Sequence, residues 1–182
     1  MTDPPVPLAG STLILGPSNA GKTTLTARAL DAWIDDAGPG GVVLDFAPEI
    51  ERDGRLLGGR LDRFTSIPDA AWHGAIEAHA PRFEAESDEA ALALARENAE
   101  HARRLLDAAP DDPCAVFVND ATIPLQADGD PAPLTAYCDA ADLAVLNAFE
   151  SDELGTDDRL SRNERAALST LRAWADRVRR LG

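Results

Sequence analysis

The sequence predicts an α/β protein of three layers, with a mainly parallel sheet of four to five strands and helices on both faces. Apolar runs of strand length alternate along the chain with stretches of helical periodicity. These runs lack the polar alternation of a half-exposed strand, and continuous apolar character suits a parallel sheet that is covered on both faces. Four such runs are present, at residues 12–15, 42–46, 114–118 and 143–146.

The stretches between these runs predict the helices. Helices are expected over residues 23–34, 68–81, 88–108, 135–141 and from 161 to near the end of the chain. Ser87 is a candidate N-cap for the long third helix. Ser161 and Glu164 form an S-x-x-E capping box for the last one, which would bury Val178 on its apolar stripe. Residues 48–68 are irregular, with a short strand possible at 63–67.

Length and composition favour one domain over residues 10–182, after a proline-rich segment, 1–9, that we expect to be mobile. Two cysteines suggest no disulfide framework, and Cys114 is expected in the core. The segment 1–9 lacks the character of a signal peptide, and no run approaches the roughly 20 apolar residues of a membrane span. We therefore expect a cytoplasmic protein with no membrane partner.

The charge balance is strongly acidic, with 32 acidic residues against 17 basic ones and a formal net charge of −15. Lys22 is the single lysine. An acidic, lysine-poor surface suits concentrated salt, where the Debye length is about 3 Å at 1 M, so we expect a halophilic archaeon as the source. A GC-rich organism that is not halophilic is the alternative. The same charge disfavours nucleic acid as the main partner.

Residues 16–23, GPSNAGKT, fit the phosphate-binding pattern G-x-x-x-x-G-K-[ST], with an apolar strand before them and a helical stretch after them. Backbone N–H groups of such a loop wrap an anion, so glycines stand where a Cβ would collide or φ is unusual. The helix then directs its positive dipole end at the phosphates. The expected nucleotide contacts are Gly16, Pro17, Ser18, Asn19, Ala20, Gly21, Lys22, Thr23 and Thr24.

This segment resembles the Walker A motif of the P-loop NTPase superfamily. The resemblance implies binding of a nucleoside triphosphate with Mg²⁺. By this resemblance, Lys22 would neutralise charge on the transferred phosphate, and Thr23 would contribute a hydroxyl to the metal. The firm resemblance covers about twenty residues, and the rest of the chain matches only in architecture.

Polar residues end three of the apolar runs, where ligands of parallel sheets bind. Asp120 follows the third run and resembles a Walker B aspartate, so it is the favoured Mg²⁺ partner of Thr23. Asp45 ends the second run and is assigned to an acceptor or an attacking water. Either aspartate could instead cap a turn. Asn147, with Glu150, resembles the guanine-reading N-K-x-D segment of GTPases without its lysine, and a simple strand-end turn is the alternative.

Together these residues predict an enzyme that binds ATP, in preference to GTP, with Mg²⁺ and hydrolyses the β–γ phosphate bond, with Lys22, Asp120 and Asp45 as catalytic residues. One alternative is a kinase that transfers the phosphate to a small-molecule acceptor. A second is a GTP-binding switch that signals to a protein partner, and a third is a nucleotide sensor without turnover. Four arginines of the irregular segment could supply transition-state charge, or could instead lie on a solvated loop as arginine–acid pairs: Arg52, Arg55, Arg60 and Arg63.

Overall fold

A computed structural model of the protein describes residues 3–151 and 157–182. The strands are β1 (Gly10–Gly16), β2 (Gly41–Asp45), β3 (Ile50–Arg52), β4 (Arg55–Leu57), β5 (Trp72–Ala75), β6 (Ala115–Asn119), β7 (Leu143–Phe149) and β8 (Arg177–Arg180). The α-helices are α1 (Lys22–Ala37), α2 (Pro81–Glu84), α3 (Asp88–Ala108), α4 (Ala132–Asp139) and α5 (Arg159–Trp174). Short 3₁₀ turns lie at Leu61–Arg63 and Ile123–Leu125.

The main sheet has six strands in the order β5-β2-β6-β7-β1-β8. Every pair within it is parallel. This confirms the predicted α/β class, although the sheet has six strands rather than four to five. Strand β7 separates β1 from β6, so the loop after β1 and the residues after β6 face each other across the end of β7.

Apolar side chains alternate between the two faces of the sheet and divide the core in two. On one face Leu13, Leu44 and Val118 pack with residues of α3, α4 and α5. On the other face Ile14 and Phe117 pack with residues of α1 and of the first 3₁₀ turn. Two-sided burial explains why the strands are continuous apolar runs.

Two expected helical segments are strands. The 68–81 helix is wrong, because Trp72–Ala75 forms β5 and pairs in parallel with β2. The last helix ends at Trp174, and Arg177–Arg180 forms β8 along the far side of β1. Val178 is therefore 39% exposed on an edge strand rather than buried on a helix. The strand proposed for 63–67 is absent from this described segment, whose first residue, Arg63, belongs to the first 3₁₀ turn.

Local details differ at three further places. Asp158 rather than Ser161 caps α5, and its carboxylate accepts a 2.9 Å hydrogen bond from the Ser161 amide. Cys114 is exposed because it precedes β6, whereas Cys138 is buried. In the segment that we expected to be mobile, Val6 is packed into the core with 3% exposure, and residues 1–2 lie outside the described part. Ser87 caps α3 as predicted.

Candidate functional site

The loop between β1 and α1, residues 17–21, leads into a helix terminus that no side chain of the described residues caps. Gly21 is the N-cap residue of α1, with a φ of 93°, and the first turn holds no acidic residue. Asn19 also has a left-handed φ, of 62°. The N–H groups of such a terminus lack intrahelical partners and carry the positive end of the helix dipole. This geometry suits an anion such as a phosphate.

The two glycines of the loop are needed for different reasons. Gly16 is buried at the end of β1, where a Cβ would lie 2.5 Å from the backbone oxygen of Leu181. A Cβ at Gly21 would meet no atom within 4 Å, but the backbone there is left-handed. Gly16 is thus required by the close approach of the chain after β8, and Gly21 by its φ.

The Lys22 side chain turns back over the loop. Its Nζ donates a 2.6 Å hydrogen bond to the carbonyl oxygen of Pro17. Burial lowers the pKa of Lys22, and the negative charge of Asp120 opposes that change. An incoming phosphate oxygen could take the place of the Pro17 carbonyl as the acceptor for this ammonium group.

A cavity of about 340 Å³ lies over the carboxyl ends of β6 and β7, beside this loop. The predicted site residues that line it are Ser18, Asn19, Gly21, Lys22, Thr23, Thr24, Asp120 and Asn147. The other four predicted residues, Gly16, Pro17, Ala20 and Asp45, are not among its lining residues. The fold therefore brings most of the predicted constellation to one space.

Asp120 follows β6 in a left-handed conformation, with a φ of 60°. Its amide donates a 2.8 Å hydrogen bond to Asn147 Oδ1, and its carboxylate accepts one of 3.3 Å from the Thr122 hydroxyl. Burial raises the pKa of Asp120 to about 6; the Lys22 charge lowers it, and the Glu164 charge raises it. The strained backbone is held by these contacts so that the carboxylate faces the same cavity as Lys22.

The residues around Asp120 fit a magnesium ion that is bound together with a phosphate. Mg²⁺ in phosphate sites is held by one or two protein oxygen ligands, with water and substrate phosphate completing its shell. The Thr23 hydroxyl and the Asp120 carboxylate are oxygen donors of this kind and line one cavity. Among the described residues, no group of three or more His, Cys, Asp or Glu side chains could hold a metal.

Two asparagines brace the strand ends. Asn147 Nδ2 donates 2.9 Å hydrogen bonds to Thr26 Oγ1 and to Asn119 Oδ1. Asn119 Nδ2 in turn donates to Asp45 Oδ1 at 2.9 Å, and the Thr23 hydroxyl donates to Asn119 Oδ1 at 3.3 Å. Sequence reasoning gave Asn119 no role. The available signal was that adjacent strands β6 and β7 both carry an asparagine toward their carboxyl ends.

Asp45 is completely buried. Its carboxylate accepts hydrogen bonds from the backbone amides of Leu61 at 2.6 Å and Ala47 at 3.3 Å, besides the one from Asn119. Burial raises the pKa of Asp45, while these hydrogen bonds lower it in part. Such surroundings favour a bracing role, and its assignment to an acceptor or an attacking water stays a prediction.

Asn147 and Glu150 were the candidates for reading a base. The Asn147 amide is 2% exposed and bonded on both sides to the protein. The Glu150 carboxylate pairs with Arg172 and lies 3.7 Å from the Arg180 Nε atom. Both groups therefore have protein partners, and contact with a base stays a prediction.

Arg60 and Arg63 of the 48–68 segment are not among the described residues that line the cavity. Arg63 Nε pairs with Glu49 at 2.6 Å, and Arg60 Nη2 donates to a backbone carbonyl oxygen at 3.3 Å. The side chains of Arg52 and Arg55 lie outside the described part. A transition-state role for these four residues stays a prediction.

A buried polar cluster forms the other side of the cavity. Arg82 donates to both carboxylate oxygens of Glu164, at 3.0 and 2.7 Å, and Gln126 Nε2 donates to Glu164 Oε1 at 2.7 Å. Burial lowers the pKa of Arg82, but the hydrogen bond and the charge of Glu164 raise it. The net shift of this pKa is upward. Sequence reasoning missed Arg82 and Gln126 and treated Glu164 as a helix cap.

Apolar side chains rim the cavity mouth. Leu56, Phe64 and Phe83 are 38%, 49% and 38% exposed, and all three line the cavity. Among the described residues only one other large apolar side chain, that of Val178, is exposed to this degree. Exposed apolar surface is thus concentrated around this opening, as is typical of a binding site.

Within residues 3–151 and 157–182, no helix combines the length and apolar character needed to span a bilayer. Comparison of the chain with protein-family models found no match, and comparison with curated protein sequences found none either.

Proposed function

We propose that the chain is a Mg²⁺-dependent P-loop enzyme that hydrolyses the β–γ phosphate bond of a nucleoside triphosphate. One observation carries the proposal: the GPSNAGKT loop ends at an uncapped helix terminus, and Lys22, Thr23 and Asp120 line one cavity beside it. The loop amides would bind the phosphates, Lys22 would stabilise charge on the transferred group, and Thr23 and Asp120 would hold the metal. The metal would neutralise charge on the phosphate oxygens.

We favour ATP over GTP as the substrate. The groups that would read guanine, in Asn147 and Glu150, already bond to other parts of the protein. Parallel titrations with ATP and GTP at high KCl test this preference. Tighter binding of GTP would support a GTP-binding switch instead.

Substitution of Lys22 tests the central claim. Lys22→Ala should weaken binding of Mg·ATP about 10- to 100-fold, because a hydrogen bond to a charged group contributes about 1.5–3 kcal/mol. Arg28→Ala is the matched control, since Arg28 is an exposed cation of the same helix and is not among the residues lining the cavity. Undiminished ATP binding by Lys22→Ala, with an unchanged fold, would overturn the proposal.

Asp120→Asn tests the metal assignment separately. The variant should bind nucleotide but lose Mg²⁺-dependent phosphate release, because an amide holds Mg²⁺ less strongly than a carboxylate. If Mg²⁺-dependent turnover is untouched, Asp120 is not the metal ligand.

A second candidate function is transfer of the phosphate to a small acceptor. The observation in its favour is the apolar rim of Leu56, Phe64 and Phe83. Such a rim could contact an organic acceptor, whereas a water nucleophile requires no apolar contact surface. Phosphate release without any added acceptor separates the two functions: a hydrolase releases phosphate from ATP alone, and a kinase requires the acceptor.

A further inference from the structure

Two buried polar atoms at the cavity have no hydrogen-bond partner among the described residues. Gln126 is 3% exposed, and its Oε1 accepts no hydrogen bond from the described residues. Arg82 Nε is likewise buried without an acceptor in the described part of the chain. Both residues line the cavity that Lys22 and Asp120 also line. Leaving a buried polar group unsatisfied is costly, so a pair of them at a cavity points to a ligand that satisfies both.

Glu164 sets the orientation of both side chains. A carboxylate only accepts hydrogen bonds, so the Gln126 amide must direct its Nε2 at Glu164, at 2.7 Å, and leave Oε1 on the other side. The same carboxylate takes both terminal nitrogens of Arg82, at 3.0 and 2.7 Å, and leaves Nε unused. Glu164 Oε1 bonds to both side chains, so Gln126 and Arg82 are neighbours across one carboxylate oxygen.

A hydroxyl group satisfies this pair of atoms, because it donates one hydrogen bond and accepts others. We propose that Gln126 Oε1 and Arg82 Nε hold the hydroxyl of the nucleophile, either water or an alcohol, that attacks the terminal phosphate. This inference rests on the proposed nucleotide function. It makes Gln126 and Arg82 catalytic residues and Glu164 a positioning residue.

In the reaction the hydroxyl oxygen forms a bond to the terminal phosphorus. The bond from that phosphorus to the bridging oxygen breaks, and the bridging oxygen leaves with the electron pair on the nucleoside diphosphate. The hydroxyl proton passes to a phosphate oxygen and then to solvent, since a neutral amide holds no additional proton. Gln126 contributes orientation, and a misplacement of the nucleophile by about 1 Å can cost about 100-fold in rate.

Gln126→Met tests the inference, because it removes the acceptor and keeps the length of the side chain. We expect the single-turnover rate of phosphate release from Mg·ATP to fall about 10- to 100-fold, while the Kd for ATP stays within about threefold. Asn163→Leu is the matched control. Asn163 Nδ2 donates to the backbone carbonyl oxygens of Gln126 and Ala127, at 2.8 and 2.9 Å, so this variant loosens the same loop without removing the amide acceptor.

A rate for Gln126→Met within threefold of the parent would overturn the inference, as would an equal loss in Asn163→Leu. If Gln126→Met does not fold, Arg82→Lys replaces it: the charge is kept, Nε is lost, and the same slow release with normal ATP affinity is expected. Phosphate release in buffer alone identifies water as the nucleophile, whereas formation of glycerol phosphate only when glycerol is added identifies an alcohol. Failure of the parent chain to bind ATP overturns the proposed function itself, whereas normal ATP binding with an insensitive Gln126→Met overturns the inference alone.

Discussion

Asp45 and Asp120 stand at the ends of neighbouring strands, β2 and β6, but their surroundings differ. Asp45 is fully buried and accepts three hydrogen bonds from the described residues, whereas Asp120 faces the cavity and accepts one, from Thr122. Because every partner of Asp45 is a donor, its hydrogen bonds suit a carboxylate rather than an amide.

Asp45→Asn should therefore destabilise the protein. The new amide would direct N–H groups at other donors, and each unsatisfied buried group costs about 1–3 kcal/mol. Urea unfolding followed by tryptophan fluorescence measures the change. Asp69→Asn is the control, since Asp69 is exposed and the charge change is identical. Equal stability of the two variants would show that Asp45 has no bracing role.

Glu49 gives the segment after β2 a dependence on pH. Its carboxylate accepts from Arg63 Nε at 2.6 Å and from the Arg60 amide at 3.1 Å. The hydrogen bond from Arg63 lowers the pKa of Glu49 to about 2 from an ordinary value of 4.5. A carboxylate whose pKa is lowered on folding stabilises above its unfolded pKa, and this stabilisation disappears as the pH falls from about 4.5 to about 2.

We expect this contribution to be small, about 0.5–1 kcal/mol, because the ion pair is partly exposed and screened by solvent. Hydrogen exchange of the Arg60 amide measures this contribution. The intrinsic exchange rate of an amide also depends on pH, so Glu49→Gln is measured under the same conditions as the reference. Protection in the parent should exceed that in Glu49→Gln at pH 6 and converge on it as the pH falls below 4.5. Parallel curves throughout would contradict the assignment.

At the scale of elements, Gly16 couples the loop after β1 to strand β8. Gly16→Ala would bring its Cβ to 2.5 Å from the Leu181 carbonyl oxygen, and a backbone atom cannot move aside cheaply. We expect the free energy of unfolding to fall by about 1–3 kcal/mol. Hydrogen exchange of the Leu181 amide, which donates to the Leu15 carbonyl oxygen at 2.8 Å, should become faster.

Gly21→Ala should lower the free energy of unfolding by about 1–2 kcal/mol through its left-handed φ alone. Exchange of the Leu181 amide should then be unchanged. Accelerated exchange in both variants would contradict this distinction.

Elements with a local signal of their own could be predicted from sequence, whereas β5 and β8 could not. Strands β2 and β6 and helix α3 carry their own signals: continuous apolar runs, and a cap followed by an apolar stripe. Strand β5 has four residues, and Trp72 and Ile76 stand at a spacing that also suits a helix. Strand β8 is an edge strand whose single apolar residue is Val178. Strands β5 and β8 are both defined by pairing with strands that are distant in sequence. No local sequence pattern predicts that pairing.

The candidate site divides in the same way. Lys22, Thr23 and Asp120 follow the ends of strong strands, so a pattern and a topological rule were enough to group them. Arg82, Gln126 and Glu164 come from α2, a loop and α5, far apart in sequence. Their grouping depends on how the helices pack over the sheet, and it could be found only in three dimensions.

For the molecule as a whole, the net charge of −15 dominates the electrostatic contribution to stability. Self-repulsion among acidic groups opposes the compact state, and salt weakens it as the Debye length falls from about 10 Å at 0.1 M to about 3 Å at 1 M.

We expect the thermal unfolding midpoint to rise with KCl over this range and then to level off as screening saturates. Scanning calorimetry across a KCl series, with sucrose as the uncharged control, measures it. A midpoint that is highest at low salt would contradict a salt-adapted surface.

The position of β1 between β7 and β8 also has a consequence for how the protein is made. Ser11, at the start of β1, is joined to Asp176 by a 2.8 Å hydrogen bond that spans 165 residues of sequence. The strand that precedes the GPSNAGKT loop thus obtains both of its neighbours only after most of the chain has been synthesised, and pairing over such long separations is slow. During translation, the proposed ability of this loop to bind a phosphate should therefore be acquired late. Its appearance would indicate that β1 has paired with both of its neighbours.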